Sequence, residues 1–420
     1  CVCLLVIIII LVIIIRYPLK MRNYDILKIY CKYIFFVGSG NFWHEENNIG
    51  DDKSLWYRVY QGILCLMFGF MTILEVMAAL IGEFPEDEKR DSVTFAVSHT
   101  IVMAKIFSVV RKKKLILDLN KKMVELCADH EDKDLMKGKY RIMKNNIIAY
   151  CAIVYVCTIC FVIEGMRKYL TGSHFATVIT YYPSYEDNSA LATFFRVFTT
   201  VILFLMLNTM IVSVDLFTVA HLIMYKYKFI TLRKYFEKLR EDFDRLNEIG
   251  NRIGATEKLA SGLVEGVEMH KKILGLSKDI DEAFGTVMAL QVCQSFGSAV
   301  SLLLQIALSD QLAFVAIMKI IFFVIALFFL LAVFLCNAGE ITYQASILSD
   351  AIFYCGWHES ELRKTAAGRN VKRIVLLAVM QTQRPLLMKA FNMLELTYAT
   401  FIQVVRGTYS VFAFFYAQNQ

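Results

Sequence analysis

The chain has 420 residues, 57% of them hydrophobic, with a formal net charge of +7. That apolar content is more than one soluble core of this length can bury, so the excess faces lipid and a soluble globular protein is excluded. With only 4 prolines and 20 glycines, the apolar stretches can run as uninterrupted helices, and they lack the period-2 alternation of a lipid-facing barrel.

The basic residues interrupt apolar segments and form no single basic face, which points to membrane topology and away from nucleic acid. The 11 cysteines are scattered, with Cys65, Cys151, Cys157, Cys160 and Cys293 inside apolar runs. They read as small core hydrophobes, not as a disulfide framework or a metal site. The seven histidines do not cluster, and no GxSxG, P-loop, HExxH or GxGxxG motif sits in a suitable context. Neither an enzyme nor a cofactor is expected.

Residues 1–20 are extremely apolar (CVCLLVIIIILVIIIRYPLK), and the first methionine is Met21. They read as an upstream translation artefact. Their length resembles a signal-peptide core, without its charged start or small-residue cleavage site, and an extra membrane anchor is the alternative.

Residues 21–420 read as one all-α unit of seven transmembrane helices. The spacing predicts a first span over 59–82, closed by the acidic run Glu83–Glu88, and a second over 92–110, closed by Arg111–Lys114. The third covers 146–165 and the fourth 197–224. A polar stretch from 225 follows, with Tyr235, Leu239, Phe243 and Leu246 at helical spacing, and reads as extensions of the flanking helices. Spans five and six, 284–308 and 312–336, are joined by the short turn Ser309–Gln311 and must be antiparallel neighbours. An amphipathic stretch over Ile374–Ala390 precedes the seventh span, 392–415.

Lysine and arginine placement sets the orientation. With the N-terminus in the cytoplasm, the inner segments hold 7, 11, 12 and 7 basic residues, and the outer loops hold only Lys89, Arg90, Arg167, Lys168 and Arg196. Seven spans then place the C-terminus outside the cell. This is inverted relative to G-protein-coupled receptors, whose DRY-like triplet, NPxxY motif and outer-loop cysteine are also missing here. Ionisable residues inside spans (Glu75, Lys105, Glu164, Asp215, Lys319, Glu395 and Arg406) should face protein or water. Glu164 and Lys319 lie near outer helix ends, where snorkelling is easy. Asp215, flanked by Ser213 and Thr218, reads as a structural hydrogen-bonded group, with a gating role as the alternative.

The last third carries a run of motifs. Gly339 and Ser346 are followed by Tyr354 and Trp357, then by Gln383-Arg384-Pro385-Leu386, then by Thr408-Tyr409-Ser410. In this order they resemble the signature of insect odorant receptors, and Tyr182-Pro183 and the stretch after His270 extend the likeness over about residues 21–418. The likeness departs at Phe391, where the family often has glycine, and in the aromatic tail FAFFYAQNQ. Gustatory receptors of the same superfamily end in a different Thr-Tyr-x-x-x-x-x-Gln-Phe motif. A secondary transporter would show internal symmetry or interrupted helices, and none is visible.

The resemblance implies a tuning subunit of an odorant-gated, non-selective cation channel, working in a hetero-tetramer with a shared co-receptor in an olfactory dendrite membrane and needing no G protein. It implies that the seventh helix lines the pore and that residues 225–283 and 337–391 form a cytoplasmic anchor. It also places a cavity for small volatile ligands among helices two, three, four and six. Candidates there are Phe95, Ser98 and His99 on the second helix and Tyr155, Thr158, Ile159 and Val162 on the third. Phe195 and Phe198 on the fourth helix and Phe314 and Met318 on the sixth complete the set; for each, plain helix packing is the competing reading. Aligning Tyr409 with the family's tyrosine puts Phe412 and Tyr416 one turn apart, beside Phe415, as a candidate hydrophobic gate or an aromatic belt. Tyr354, Trp357, Pro385, Tyr409 and Ser410 read as structural.

Overall fold

The structure, a computed structural model, describes residues 22–45, 48–82, 86–170, 190–307, 314–358, 366–391 and 393–418. The expectations for residues 1–20, the pair Tyr182-Pro183 and the turn Ser309–Gln311 lie outside the described residues. The helices in chain order are α1 (Asn23–Phe36), α2 (Leu55–Ile81), α3 (Glu86–Arg111), α4 (Lys113–Glu125), α5 (Lys133–Leu170) and α6 (Ala190–Glu248). They are followed by α7 (Arg252–Ala307), α8 (Phe314–Ser346), α9 (Leu348–Phe353), α10 (Ala366–Thr382) and α11 (Tyr398–Gln418).

Six of these helices (α2, α3, α5, α6, α7 and α8) are long and apolar enough to cross a membrane. Each overlaps one of the first six expected spans. α6 and α7 run for 59 and 56 residues, far beyond the roughly 20 that a bilayer core requires. The polar stretch after residue 225 therefore continues the helices, and the chain reverses at Gly250, whose φ of +82° suits a residue without Cβ. α2 starts at Ser54, whose side chain accepts from the Tyr57 amide. Its Trp56, Leu66, Phe70 and Leu80 are exposed, which makes it a peripheral, lipid-facing helix.

The seventh span starts later than the sequence suggested. The helix begins at Tyr398, and the residues before it form a small hairpin that pairs Lys389–Ala390 with Leu394–Glu395. Glu395 is thus a strand residue ahead of the helix and not a charge within it. Phe391 makes the turn with φ of +53°, the left-handed conformation that disfavours a bulky side chain. The hairpin lies against α7 at Gly285, where an added Cβ would stand 3.5 Å from the Lys389 carbonyl oxygen. Upstream, α10 stops at Thr382 and Pro385 follows in extended chain, where its missing amide costs nothing.

α6 runs through the centre of the core, with Leu207, Leu216, Phe217, Tyr225 and Phe229 buried. One polar cluster ties four elements together near the α4–α5 connection. Glu131 accepts from Lys228 of α6 at 3.1 Å and from Lys139 of α5 at 3.3 Å, and Asn23 of α1 donates to the same carboxylate. Both lysines are buried. Burial pushes the Glu131 carboxyl up, but the Lys228 and Lys139 ammoniums and the Asn23 amide outweigh it and hold the group below its usual range.

Candidate ligand site and pore helix

Four aromatic rings from four helices meet around Phe95 of α3. Phe161 of α5 lies 5.0 Å away edge-on, Phe204 of α6 at 6.2 Å and Phe323 of α8 at 6.1 Å, while Phe161 and Phe323 touch at 5.3 Å. Each helix brings its phenylalanine inward because polar or small side chains share that face and aliphatic ones turn to lipid. Three of these contacts are edge-on and the Phe95–Phe323 pair is stacked, so the four rings form one apolar aromatic cluster.

Polar groups sit on two sides of this cluster. His99 stacks on Phe95 at 5.5 Å and bonds through Nδ1 to Glu75 of α2 at 2.5 Å, with Glu75 fully buried. Between α5 and α6, Asn208 donates to the Thr158 hydroxyl at 2.8 Å, and the Tyr155 and Thr209 hydroxyls are 3.3 Å apart. Beside Phe161, the Lys319 ammonium lies 5.2 Å from the ring centre and bonds to Asp91 at 2.6 Å. Lys319 and Glu164 are both buried: the first is paired with Asp91, the second held by two Arg167 contacts at 2.8 Å. Neither snorkels, since each has a protein partner that removes the need for water.

Of the ligand candidates, Phe95, His99, Thr158 and Tyr155 converge on this region, Ser98 instead accepts from Gln294 of α7 at 2.7 Å, and Val162 and Met318 are half-buried. Ile159, Phe198 and Phe314 are exposed at 57%, 52% and 75%, so they face away from the cluster. The Phe195 side chain lies outside the described residues. Phe161, Phe204, Phe323, Asn208 and Glu75 were not among the ligand candidates. Phe161 is one helical turn from Thr158 and was legible from that spacing. Phe204 and Phe323 depend on the vertical register between helices, which a single sequence does not encode.

Asp215 is held by two groups. Lys105 of α3 approaches its carboxylate at 3.2 Å, Tyr150 of α5 donates at 2.7 Å, and Lys105 also bonds Gln291 of α7. The hydrogen-bonded reading of Asp215 is what its surroundings support.

α11 packs one face on α7 and α8: Thr408 is buried, and Gly407 lies close to the Phe296 ring. Its other face, with Ile402, Arg406, Tyr409 and Ser410, is exposed. Phe412 and Tyr416 stack at 5.8 Å with planes 27° apart, and Phe412 also meets Tyr409 at 6.5 Å. Phe415 is exposed and pairs with Phe414, not with the Phe412 stack. Of the structural candidates, Trp357 is half-buried and donates to the Phe353 carbonyl at 2.8 Å. Tyr354 is 64% exposed and meets Phe353 edge-on at 5.1 Å, so in this chain alone it is not a packed residue.

Comparison with known proteins identifies the fold. The model of the 7tm odorant receptor family matches residues 88–409. Odorant receptor 2a of Drosophila melanogaster is 40% identical over 79 residues, covering 19% of this chain and 18% of that protein. Odorant receptor Or2 of Anopheles gambiae is 27% identical over 156 residues, 37% of this chain and 38% of that one. These alignments thus cover well under half of either relative. The olfactory receptor OR5 of the insect Machilis hrabei, solved in complex with eugenol, superposes with a TM-score of 0.77 at 12% identity, over 94% of this chain and 98% of that one. A second structure of the same receptor superposes with a TM-score of 0.75. With the family model spanning most of its length and a seven-helix receptor fold matching nearly all of it, this chain belongs to the 7tm odorant receptor family.

Proposed function

We propose that this protein is the odorant-binding tuning subunit of a ligand-gated, non-selective cation channel in the plasma membrane of an olfactory neuron. It binds small volatile ligands and assembles with a shared co-receptor subunit into a hetero-tetramer. The observation that carries this reading is the aromatic cluster Phe95, Phe161, Phe204 and Phe323, flanked by the hydroxyls of Tyr155 and Thr158 and the imidazole of His99. Apolar rings with a few convergent hydrogen-bonding groups suit a ligand of mostly apolar surface and one polar function. The anchor role of residues 225–283 and 337–391, the inward N-terminus and the gate at Phe412 and Tyr416 belong to the same proposal. α11 supports it by presenting an exposed face with Arg406 and Tyr409, as a helix that lines a shared pore would.

Whole-cell recording under an odour panel, with and without the co-receptor, tests the reading. Ligand-evoked current only in co-expressing cells is the expected result. Current that is equal without the co-receptor, as the gustatory alternative requires, overturns the partnership, and current-free uptake of a solute overturns the channel. Phe161→Ala should shift the active ligands or their potency by about tenfold, the effect of removing one well-packed aromatic contact of about 1.4 kcal/mol.

A further inference from the structure

α3 and α7 meet along a polar stripe that the aromatic cluster does not use. The two helices run antiparallel, and their side chains pair in register: Thr94 with Ser301 at 2.7 Å, Ser98 with Gln294 at 2.7 Å, Lys105 with Gln291, and Lys112 with Thr286 at 3.2 Å. On α7 the stripe steps through Gln291, Gln294, Ser298, Ser301 and Gln305, spacings of three and four that hold one helix face.

Three polar atoms of α7 along the stripe are buried and have no hydrogen-bonding partner among the described residues. They are Gln294 Oε1, Ser298 Oγ and Gln305 Nε2, on side chains 7%, 2% and 5% exposed. A buried donor or acceptor left unpaired is costly, and most in the hydrocarbon region, where lipid offers no substitute. The α7 atoms recur over residues 294–305, about 16 Å of helix at 1.5 Å per residue. The unmet groups are an acceptor, an amide donor and a hydroxyl that does both. A cation or an anion satisfies only half of that set, whereas water satisfies all of it. Asp91 and Gln305 stand near the ends of their helices on the same side of the bundle, and the stripe leads from there toward the buried Lys105–Asp215 pair.

We propose that α3 and α7 enclose a narrow hydrated crevice that admits water from the Asp91 end of the bundle as far as the Lys105–Asp215 pair. It is separate from the aromatic cluster, which lies among α3, α5, α6 and α8, and it does not depend on the identity of any odorant. Water at the inner end of the crevice would meet the Gln291 side of the buried pair, lowering the cost of holding a lysine and an aspartate within membrane helices.

Cysteine accessibility in the full chain, expressed in membranes, tests this. Ser298→Cys, Gln294→Cys, Lys89→Cys and Ile73→Cys are each exposed to a small, charged methanethiosulfonate from one side of the membrane, and modification is quantified at that peptide by mass spectrometry. Lys89 is exposed at the Asp91 end and identifies the side on which the result is read. Ile73 is 59% exposed on lipid-facing α2 and serves as the dry control. From the side that labels Lys89→Cys, the expected result is modification of Ser298→Cys at least about tenfold faster than Ile73→Cys, because the reagent reacts with a thiolate that water must stabilise. Gln294→Cys should react more slowly than Ser298→Cys but still above the control. Ser298→Cys that reacts no faster than Ile73→Cys, in protein that reaches the membrane at normal levels, overturns the crevice. Because Ser298→Cys changes one atom type, misfolding does not mask the outcome, and no ligand or current is needed to read it.

Discussion

Lys105 and Asp215 form an ion pair at 3.2 Å with both side chains essentially inaccessible, although each lies within a helix long and apolar enough to cross a membrane. Tyr150 and Gln291 complete the ring of partners. Breaking such a pair from one side leaves a buried charge without compensation, which typically costs about 3–5 kcal/mol, whereas replacing both charges by apolar groups of similar volume is often close to neutral. Asp215→Asn should therefore lose most surface expression, and the double variant Lys105→Met with Asp215→Leu should recover much of it. Thermal melting of detergent-solubilised protein checks the order. A double variant no better than the single one would mean that the charges serve activity and not only packing.

Glu131 gives the fold a defined sensitivity to acid. Its carboxyl is held low by Lys228 and Lys139 against the upward push of burial. A depressed carboxylate contributes stability that is fully present above its unfolded value of about 4.3 and is lost as pH falls through the lower folded value. Melting temperature should thus hold steady from neutral pH down to about 5 and then fall as Glu131 titrates. Glu131→Gln should lower the melting temperature at neutral pH, because two buried ammoniums lose their counter-charge, and should flatten the acid limb. An acid limb of unchanged steepness in Glu131→Gln would assign it to other carboxylates.

Some of this architecture was legible in the sequence and some was not, for physical reasons. Apolar length and helical spacing located the six long membrane helices, since a bilayer demands about 20 apolar residues per span and the chain has little else to offer. The run of motifs from Gly339 to Ser410 located the family. That Phe95, His99 and Thr158 lie at similar depth could be counted from the helix ends. That Phe204 and Phe323 join Phe95 could not, because counting gives height but not the rotation of one helix against another. Glu395 was misread as a span residue because the hairpin before α11 rests on contacts with Gly285 of α7, far away in the chain. Ile159, Phe198 and Phe314 carried the right chemistry on outward faces. Hydrophobicity cannot separate lipid-facing from ligand-facing residues, since both are apolar.

Phe391 pays a backbone penalty at the hairpin turn. Its φ of +53° is the left-handed region, and its ring is 54% exposed, so little burial offsets the strain. A left-handed non-glycine residue costs of order 1–3 kcal/mol, and glycine returns part of that in unfolded-state entropy, leaving a net gain of about 1 kcal/mol for Phe391→Gly. Phe391→Val should be destabilised, since a β-branched side chain tolerates this conformation least. Melting temperatures of the three proteins should rank glycine, phenylalanine, valine. Because the hairpin leads directly into α11, the same series should be recorded for ligand potency in the heteromer, where a stability ranking without any functional shift would separate the turn from gating.

Phe412 and Tyr416 stack one helical turn apart near the end of α11, a helix with one exposed face. If their rings form the constriction proposed above, they close the pore by excluding water, and truncating one ring opens a wetted path. A loss of about 1–2 kcal/mol of closed-state bias raises the open population about five- to thirtyfold. Phe412→Ala in the heteromer should therefore show raised ligand-independent current, with ligand potency shifted to lower concentration because less binding energy is needed to open. Phe412→Leu, which keeps an apolar plug, should stay close to the parent. An aromatic belt anchor predicts the opposite pattern: Phe412→Ala would lower surface expression and leave basal leak and potency per channel unchanged. Normalising current to surface protein distinguishes the two, and an unchanged leak at normal expression removes Phe412 from the gate.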